Sequence, residues 1–287
     1  MKNGRTIEYE TGKRGMNKGR PLFDGKTLNG WHAVPRIPCP LYPGGPEPDK
    51  HDPAYQTAAQ TRGKWEVRDG AITGAQEQRG FGGYLLTDET FADFELSYEV
   101  KPDWPADTGL LVRASPAGTQ GFQILLDHRK SGAIGGFYGN GIGGFHAVSF
   151  NVDIEQDAAG NAVGIKPEDP SSSLEPVTAE KRALLNYAVT PDTFFKIWRW
   201  NDWNEFKVRC EGEYPVLTSW INGVKAYELD TARIIWPNYD REAVHKLLGL
   251  SGHIALEVHD NDPRMGDARW APGNVCRWRN IVIYNLF

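Results

Sequence analysis

Cysteine is scarce in this chain. Its 287 residues hold three, Cys39, Cys210 and Cys276. The number is odd, the spacing is wide and no C-x-x-C occurs, which argues against a disulfide framework or a zinc site. Cys210 falls on the apolar phase of EFKVRC and reads as buried filler. Long apolar runs are missing too, since no stretch approaches the roughly 18 residues that mark a membrane helix. The N-terminal MKNGRTIEYETGKRGMNKGR has basic residues but no apolar core, so it is no signal peptide as written. A cytoplasmic location is expected, or a periplasmic or secreted one if the N-terminus has been trimmed. Positive charge is not in excess either. Lys and Arg number 32 against 37 Asp and Glu, a net charge of −5. That balance argues against nucleic acid or an anionic membrane as the main partner. Nothing in the pattern sets an oligomeric state.

Helical periodicity is sparse. TAEKRALLNYAV (178–189) and DREAVHKLLG (240–249) predict helices, the second capped by Asp240 and ended by Gly249. Strand signals are abundant by contrast. KWEVRDGAITG is two short strands about Asp69-Gly70, and LTSWINGVKAYEL repeats the pattern about Asn222-Gly223. Between and after them come GGYLLTDE, FADFELSYEVKP, DTGLLVRAS, GFQILLDHR, FFKIWRW, NEFKVRCEG, HIALEVHD and CRWRNIVIYNL. Many short strands joined by Gly-bearing turns predict an all-β sandwich or jelly roll. Residues 1–20 read as a loose tail and 21–287 as one β-sandwich domain, with a polar, Pro- and Ser-rich insertion or lid at about 151–190. PRIPCPLYPGGPEPDKHDP is a long irregular excursion of the kind that is often functional.

Strand parity singles out one face. Leu111 and Arg113 oppose Leu110 and Val112. Gln123, Leu125 and Asp127 oppose Phe122, Ile124 and Leu126. Trp220 opposes Ile221. Ala255, Glu257 and His259 oppose Ile254, Leu256 and Val258. The mixed side is either a plain solvated face or a binding floor, and long hydrogen-bonding side chains beside an aromatic favour the floor. There Glu257 and His259 would be acid–base equipment. The Gly-rich GAIGGFYGNGIGGF reads as a tight, exposed loop past a ligand, with Phe137, Tyr138, Phe145 and His146 as walls. In HDNDPRMGD, Asp260, Asp262 and Asp267 suggest either an acidic turn or a loop for a divalent metal ion. His128 and His245 have no patterned partner and read as surface residues. Serine esterase chemistry is excluded by the lack of G-x-S-x-G. A retaining glucanase is disfavoured, because no E-x-D-x-x-E occurs. Glu95 and Glu99 are about 13 Å apart on a strand at ~3.3 Å per residue, too far to flank one sugar bond.

Several segments, in order, resemble one family: FDGKTLNGW, KWEVRDGAI, GGYLLTDETFADFELSYEVK, DTGLLVRAS, GFQILLDH leading into GAIGGFYG, WNEFKVRCEG, SWINGVKAYEL, GHIALEVHD and RWRNIVI. Together they resemble the 3-keto-disaccharide hydrolase family, a former domain of unknown function. The resemblance implies a concanavalin A-like jelly-roll β-sandwich of two antiparallel sheets with a few short helices in loops. It also implies cleavage of glycosides already oxidised at C3, where the ketone acidifies the C2 hydrogen and the C1 substituent leaves by elimination or is hydrolysed. His259 matches the family's last strand motif, as base or metal ligand, with Glu257 as its partner. Arg113 matches a Gly-x-x-x-Arg strand and would hold the carbonyl or enolate oxygen. Gln123 and Asp127 would bind hydroxyls, and Tyr138, Trp203, Asn204 and Trp220 would touch sugar. The family often carries an acid where this chain has Gly121. No cofactor is certain, a divalent metal ion is possible, and the expected partner is a small carbohydrate. The competing readings are a non-catalytic carbohydrate-binding module and a conventional glucanase.

Overall fold

The computed structural model describes residue 15 and residues 17–287. Most of the expected tail, residues 1–14 and 16, lies outside the described residues. The rest of it is docked rather than loose: Asn17 N donates to Asn285 O at 3.2 Å, and Arg20–Pro21 pairs with Val282 and Ile283.

Local turn chemistry builds the expected hairpins. Asp69 and Gly70 take φ of 50° and 74°, and Asn222 and Gly223 take 48° and 83°. Two left-handed residues in succession reverse the chain with the twist that antiparallel strands need. They join Lys64–Arg68 to Ala71–Ala75, and Val216–Ile221 to Val224–Asp230.

Among the described residues two large antiparallel sheets pack face to face, as the sequence predicts. The front sheet runs His146–Ala147, Ile134–Asn140, Gly121–Leu126, Thr108–Ala114, His253–Val258, Gly83–Thr87, Trp31–Pro35. The back sheet runs Leu185–Ala188, Val224–Asp230, Val216–Ile221, Asn204–Glu211, Phe94–Pro102, Cys276–Asn285, Ala71–Ala75, Lys64–Arg68. Between them lies one apolar cluster built from alternate residues of each strand: Phe94, Leu96, Tyr98 and Val100 meet Phe122, Ile124, Leu126, Ile254, Leu256 and Val258. Cys210 is buried there, as expected. Removing such area from water, at ~25 cal/mol per Å², is the main force holding the sheets together.

The two outer faces differ. Back-sheet strands such as Asn204–Glu211 alternate buried and less buried residues. Front-sheet strands Thr108–Ala114 and Gly121–Leu126 are buried on both faces. The outward front face is therefore not simply wet. At one end Tyr84, Leu86, Leu111, Ala114 and Ala255 form a second apolar cluster with Val34. The other end carries the polar side chains described below.

One strand breaks parity. His253 pairs with Ala114 but Ala255 pairs with Leu111, so Thr108–Ala114 holds one extra residue at a β-bulge. Arg113 sits in it with φ of 49°. The bulge is packed tightly: a Cβ at Gly252 would lie 2.6 Å from Arg113 C, and one at Gly121 would lie 3.1 Å from Ala114 Cα. A side chain at 121 would require the neighbouring backbone to shift by a few tenths of an ångström.

Arg241–Leu248 is helical, with Asp240 accepting from Glu242 N and Ala243 N, and Gly249 closing it at φ 68°. The other expected helix stops at Ala183, and Leu185–Ala188 becomes a strand on the edge of the back sheet. Tertiary pairing overrides helical periodicity there. Two further α-helices were not expected: Pro53–Gln60, at the end of the Pro-rich excursion, and Pro191–Ile197, capped by Thr190, where FFKIWRW reads as a strand. Among the described residues no helix is long and apolar enough to cross a membrane.

Candidate active site

A pocket of about 400 Å³ opens on the polar end of the outward front face. Small-ligand sites typically hold ~300–1,000 Å³. Parity delivers Gln123, Asp127 and His259 to its floor, and places Glu257 directly beneath, with no exposed surface. Tyr138 and His146 form a wall, paired across adjacent strands with rings 4.6 Å apart. Burial, then the charge of Lys181, pushes the His146 imidazole down to about 4. Asn151, Glu175 and Lys181, from the 151–190 segment, line the opening.

The centre of the floor is an arginine-threaded network. Arg36 extends from the end of Trp31–Pro35 across the Tyr84 ring. Its Nε donates to one Glu257 oxygen at 2.9 Å, while Gln123 Nε2 donates to the other. Arg36 Nη1 bonds the Asp260 carboxylate. Arg36 Nη2 lies 2.9 Å from His259 Nε2. His259 Nδ1 lies 2.7 Å from the Asp260 carbonyl oxygen. A carbonyl only accepts and a guanidinium only donates, so Nδ1 carries the proton and Nε2 presents its lone pair.

Asp107 lies 3.8 Å from His259 Nε2. It accepts from Arg269 Nε at 2.9 Å and Arg129 Nη2 at 3.2 Å. Burial opposes its ionisation, but His259, Arg129 and Arg269 overcome that and hold it well below the usual carboxylate range. Asp127 accepts from Arg129 Nε at 2.8 Å and bonds Nη2 as well. Burial, then Asp107, pushes it up to about 6 against the pull of Arg129. Burial likewise opposes ionisation of Asp260, and Arg36 and His259 bring it below the carboxylate range.

Four expectations fail. Arg113 is buried away from the pocket because the bulge turns it aside. Its guanidinium donates to Ala92 O, Gly212 O and Gly249 O at 3.1–3.3 Å and bonds Asp93. Asn204 and Trp220 belong to the back sheet, and Trp203 immediately precedes it. The Arg279 guanidinium sits 4.0 Å from the Trp203 ring and Lys207 Nζ 4.3 Å from Trp220, while Asn204 is fully buried and knits the turns through Arg199, Asp202 and Asn222. Parity assigns a residue to a face, not to a sheet. Phe137 and Phe145 are core residues, since the Gly-rich segment is the buried strand Ile134–Asn140 and its hairpin rather than an exposed loop. His128 is buried, not a surface residue, and His245 is half-buried.

The possible cation loop is also committed elsewhere. Asp260 bonds Arg36, Asp262 bonds Arg269, and Asp267 bonds Arg79. Among the described residues no three His, Cys, Asp or Glu side chains converge on a metal position. Arginines neutralise the carboxylates in this arrangement, so its donor set does not fit a resident divalent ion. The sequence reading missed Arg36, Asp107, Arg129 and Arg269. The signal for Arg36 was its place in the Pro-rich excursion; the others sit beside strand ends and carry no pattern.

The family description "3-keto-alpha-glucoside-1,2-lyase-like domain" matches residues 18–284. The chain belongs to this glycosyl hydrolase-like family. Its fold is similar to that of a Parabacteroides distasonis protein provisionally named a glycosyl hydrolase, at 15% identity over 94% of each chain and a TM-score of 0.47. It is also similar to a Bacillus licheniformis β-glucanase, at 9% identity over 96% of this chain and 99% of that one, TM-score 0.45. A carbohydrate binding module from Bacillus subtilis shares 11% identity over 77% and 91% of the two chains, TM-score 0.41. Comparison with curated proteins finds no match.

Proposed function

We propose that this chain cleaves the glycosidic bond of 3-keto-glycosides by elimination across C1 and C2. The observation carrying the proposal is the His259 ring, whose Nε2 lone pair is preset at the pocket floor beside the Arg36 guanidinium. His259 Nε2 takes the C2 proton. The C–H electron pair becomes a C2–C3 enolate with its charge on the C3 oxygen. The C1–O bond then breaks, and the departing oxygen takes a proton back from His259 or water. Water can add to the resulting unsaturated keto-sugar. Arg36 yields Nε2 to the substrate and turns to the C3 oxygen, two bonds from the carbon that loses its proton, and Arg269 adds positive charge nearby. Glu257 and Asp260 position Arg36 and His259. Gln123, Tyr138 and Asn140 are the hydroxyl contacts.

One observation favours a second reading. Asp107 and Asp127 share Arg129 Nη2 and are pushed in opposite directions, as an acid and its partner are in conventional glycosidases. Against it, the Arg129 guanidinium fills the space where a glycosidic oxygen would sit. Incubation of one disaccharide and its C3-oxidised form separates the readings. The keto form alone is expected to be cleaved, with a primary isotope effect for deuterium at C2. His259→Gln should lose at least ~100-fold in kcat while keeping its fold. Equal release from the unoxidised sugar, or full activity in His259→Gln, overturns the proposal. Retained sugar affinity with no turnover of either form by the wild type supports a binding module instead.

A further inference from the structure

A second pocket of about 520 Å³ lies at one end of the sandwich and shares no lining residue with the first. Its walls come from segments that lead into back-sheet strands or leave them, from the segment after the front-sheet strand Gly121–Leu126, and from the Val152–Gln156/Ala162–Pro167 hairpin. Two indoles, Trp104 and Trp200, line it together with Asn161, Asn201, Asn274, Asp103 and His128. Trp104 is 37% exposed. It stands with Trp200 at one opening, so the pocket presents two indoles together rather than one scattered exposed side chain.

The lining is neutral despite two titratable groups. Asp103 is held by Arg277, whose Nη1 lies 2.7 Å away. Burial pushes His128 down to about 4, so it is uncharged at neutral pH. Its Nε2–H donates to Asp103 O at 3.2 Å, and its ring packs 5.5 Å from Trp200, fixing that indole. An anion or a cation finds no counter-charge here.

The free hydrogen-bonding groups are of both kinds. Among the described residues neither indole N–H nor the Asn201 amide has a bond. Asn161 and Asn274 spend their NH₂ groups on Asp157 and on the Pro105 carbonyl, at 3.0 and 2.8 Å. Their carbonyl oxygens are left as acceptors. Indole faces suit apolar C–H surfaces, and mixed donors and acceptors suit hydroxyls, which are both at once. We infer that this pocket is a second, non-catalytic binding site for a neutral saccharide, with Trp104 and Trp200 as stacking platforms and the three asparagines as hydroxyl contacts. It stands whether or not the first pocket cleaves keto-sugars.

The test is isothermal titration of the full chain with unoxidised cello-, malto- and laminari-hexaoses, which need no turnover. At least one is expected to bind with a Kd of order 1 mM or below. Trp104→Ala should weaken that binding ~10-fold or more. Asn201→Gly, which removes the amide and tolerates the φ of 49° found there, should weaken it in the same direction. His259→Gln should leave it unchanged. Retention of wild-type affinity in Trp104→Ala overturns the inference, as does binding that is lost in His259→Gln. Absence of binding to all three hexaoses overturns it as well, as does a preference for a sulfated oligosaccharide.

Discussion

Replacing Arg36 with Ala tests the floor network most sharply. Glu257 has no exposed surface, and its two oxygens are bonded by Arg36 and by the neutral amide of Gln123. Without Arg36 the carboxylate keeps one partner and no counter-charge. Breaking a buried pair by removing one member costs ~3–5 kcal/mol. That range is an upper bound, because Arg36 lines the open pocket and its truncation admits water to the carboxylate. The double variant Arg36→Ala/Glu257→Gln should recover ~2 kcal/mol or more of the loss, since the amide oxygen introduced by Glu257→Gln can still accept from Gln123 with no charge left unpaired. Urea unfolding of wild type, both single variants and the double variant at pH 5.5 and 8 gives the coupling directly. A cost below ~1 kcal/mol for Arg36→Ala, or no recovery in the double variant, would refute the account of the network. Catalysis gives a separate readout: kcat should fall with Arg36→Ala even where the protein is fully folded.

Arg113→Met should lose ~3 kcal/mol or more, because three backbone carbonyls lose a donor, while kcat per folded molecule stays within a few-fold. A large kcat loss at unchanged stability would return Arg113 to the chemistry. Gly109→Ala would place a Cβ 2.6 Å from Gln123 Nε2 and 2.9 Å from Ile124 O. It should cost ~1–3 kcal/mol and reduce activity by dislodging Gln123 from Glu257; wild-type values for both would contradict the packing. His128 is depressed from 6.5 to about 4. The unfolded chain therefore takes up its proton first, and stability falls as pH drops from about 6.5 towards 4. At ~1.4 kcal/mol per unit this amounts to ~3 kcal/mol. Relative to His128→Gln, wild type should lose about that much in denaturant titrations over this range, and parallel curves would refute it.

The sandwich was legible because its cause is local. Asp69-Gly70 and Asn222-Gly223 dictate reversals by backbone conformation alone, and alternation in FELSYEV or HIALEV dictates a buried side. The pocket floor was partly legible for the same reason: Gln123, Asp127, Glu257 and His259 are placed by parity. Arg113 was misplaced because a bulge is a one-residue event enforced by Gly121 and Gly252 from neighbouring strands, and no period within TGLLVRAS reveals it. Trp203 and Trp220 failed differently. The Trp220 face was read correctly as non-core, but sheet membership depends on pairing between distant segments. Arg36 and Arg269 are invisible to periodicity because both lie in loops whose paths are set by what they cross.

Those arginines also bear on which reaction the floor suits. Asp107, Asp127 and Asp260 line the pocket, yet each is already bonded to a guanidinium. What remains to face a substrate is the cationic side of those pairs and the Nε2 lone pair of His259. Conventional glycosidases pass through a transition state with positive charge building on the sugar ring and need uncommitted carboxylate beside it. Arg36 and Arg269 oppose such charge. Proton abstraction next to a ketone builds negative charge on oxygen, which the same guanidiniums would stabilise. The missing E-x-D-x-x-E pattern and the gathering of arginines at the floor therefore support the proposed elimination, in which an anion forms, over a conventional glycosidase mechanism.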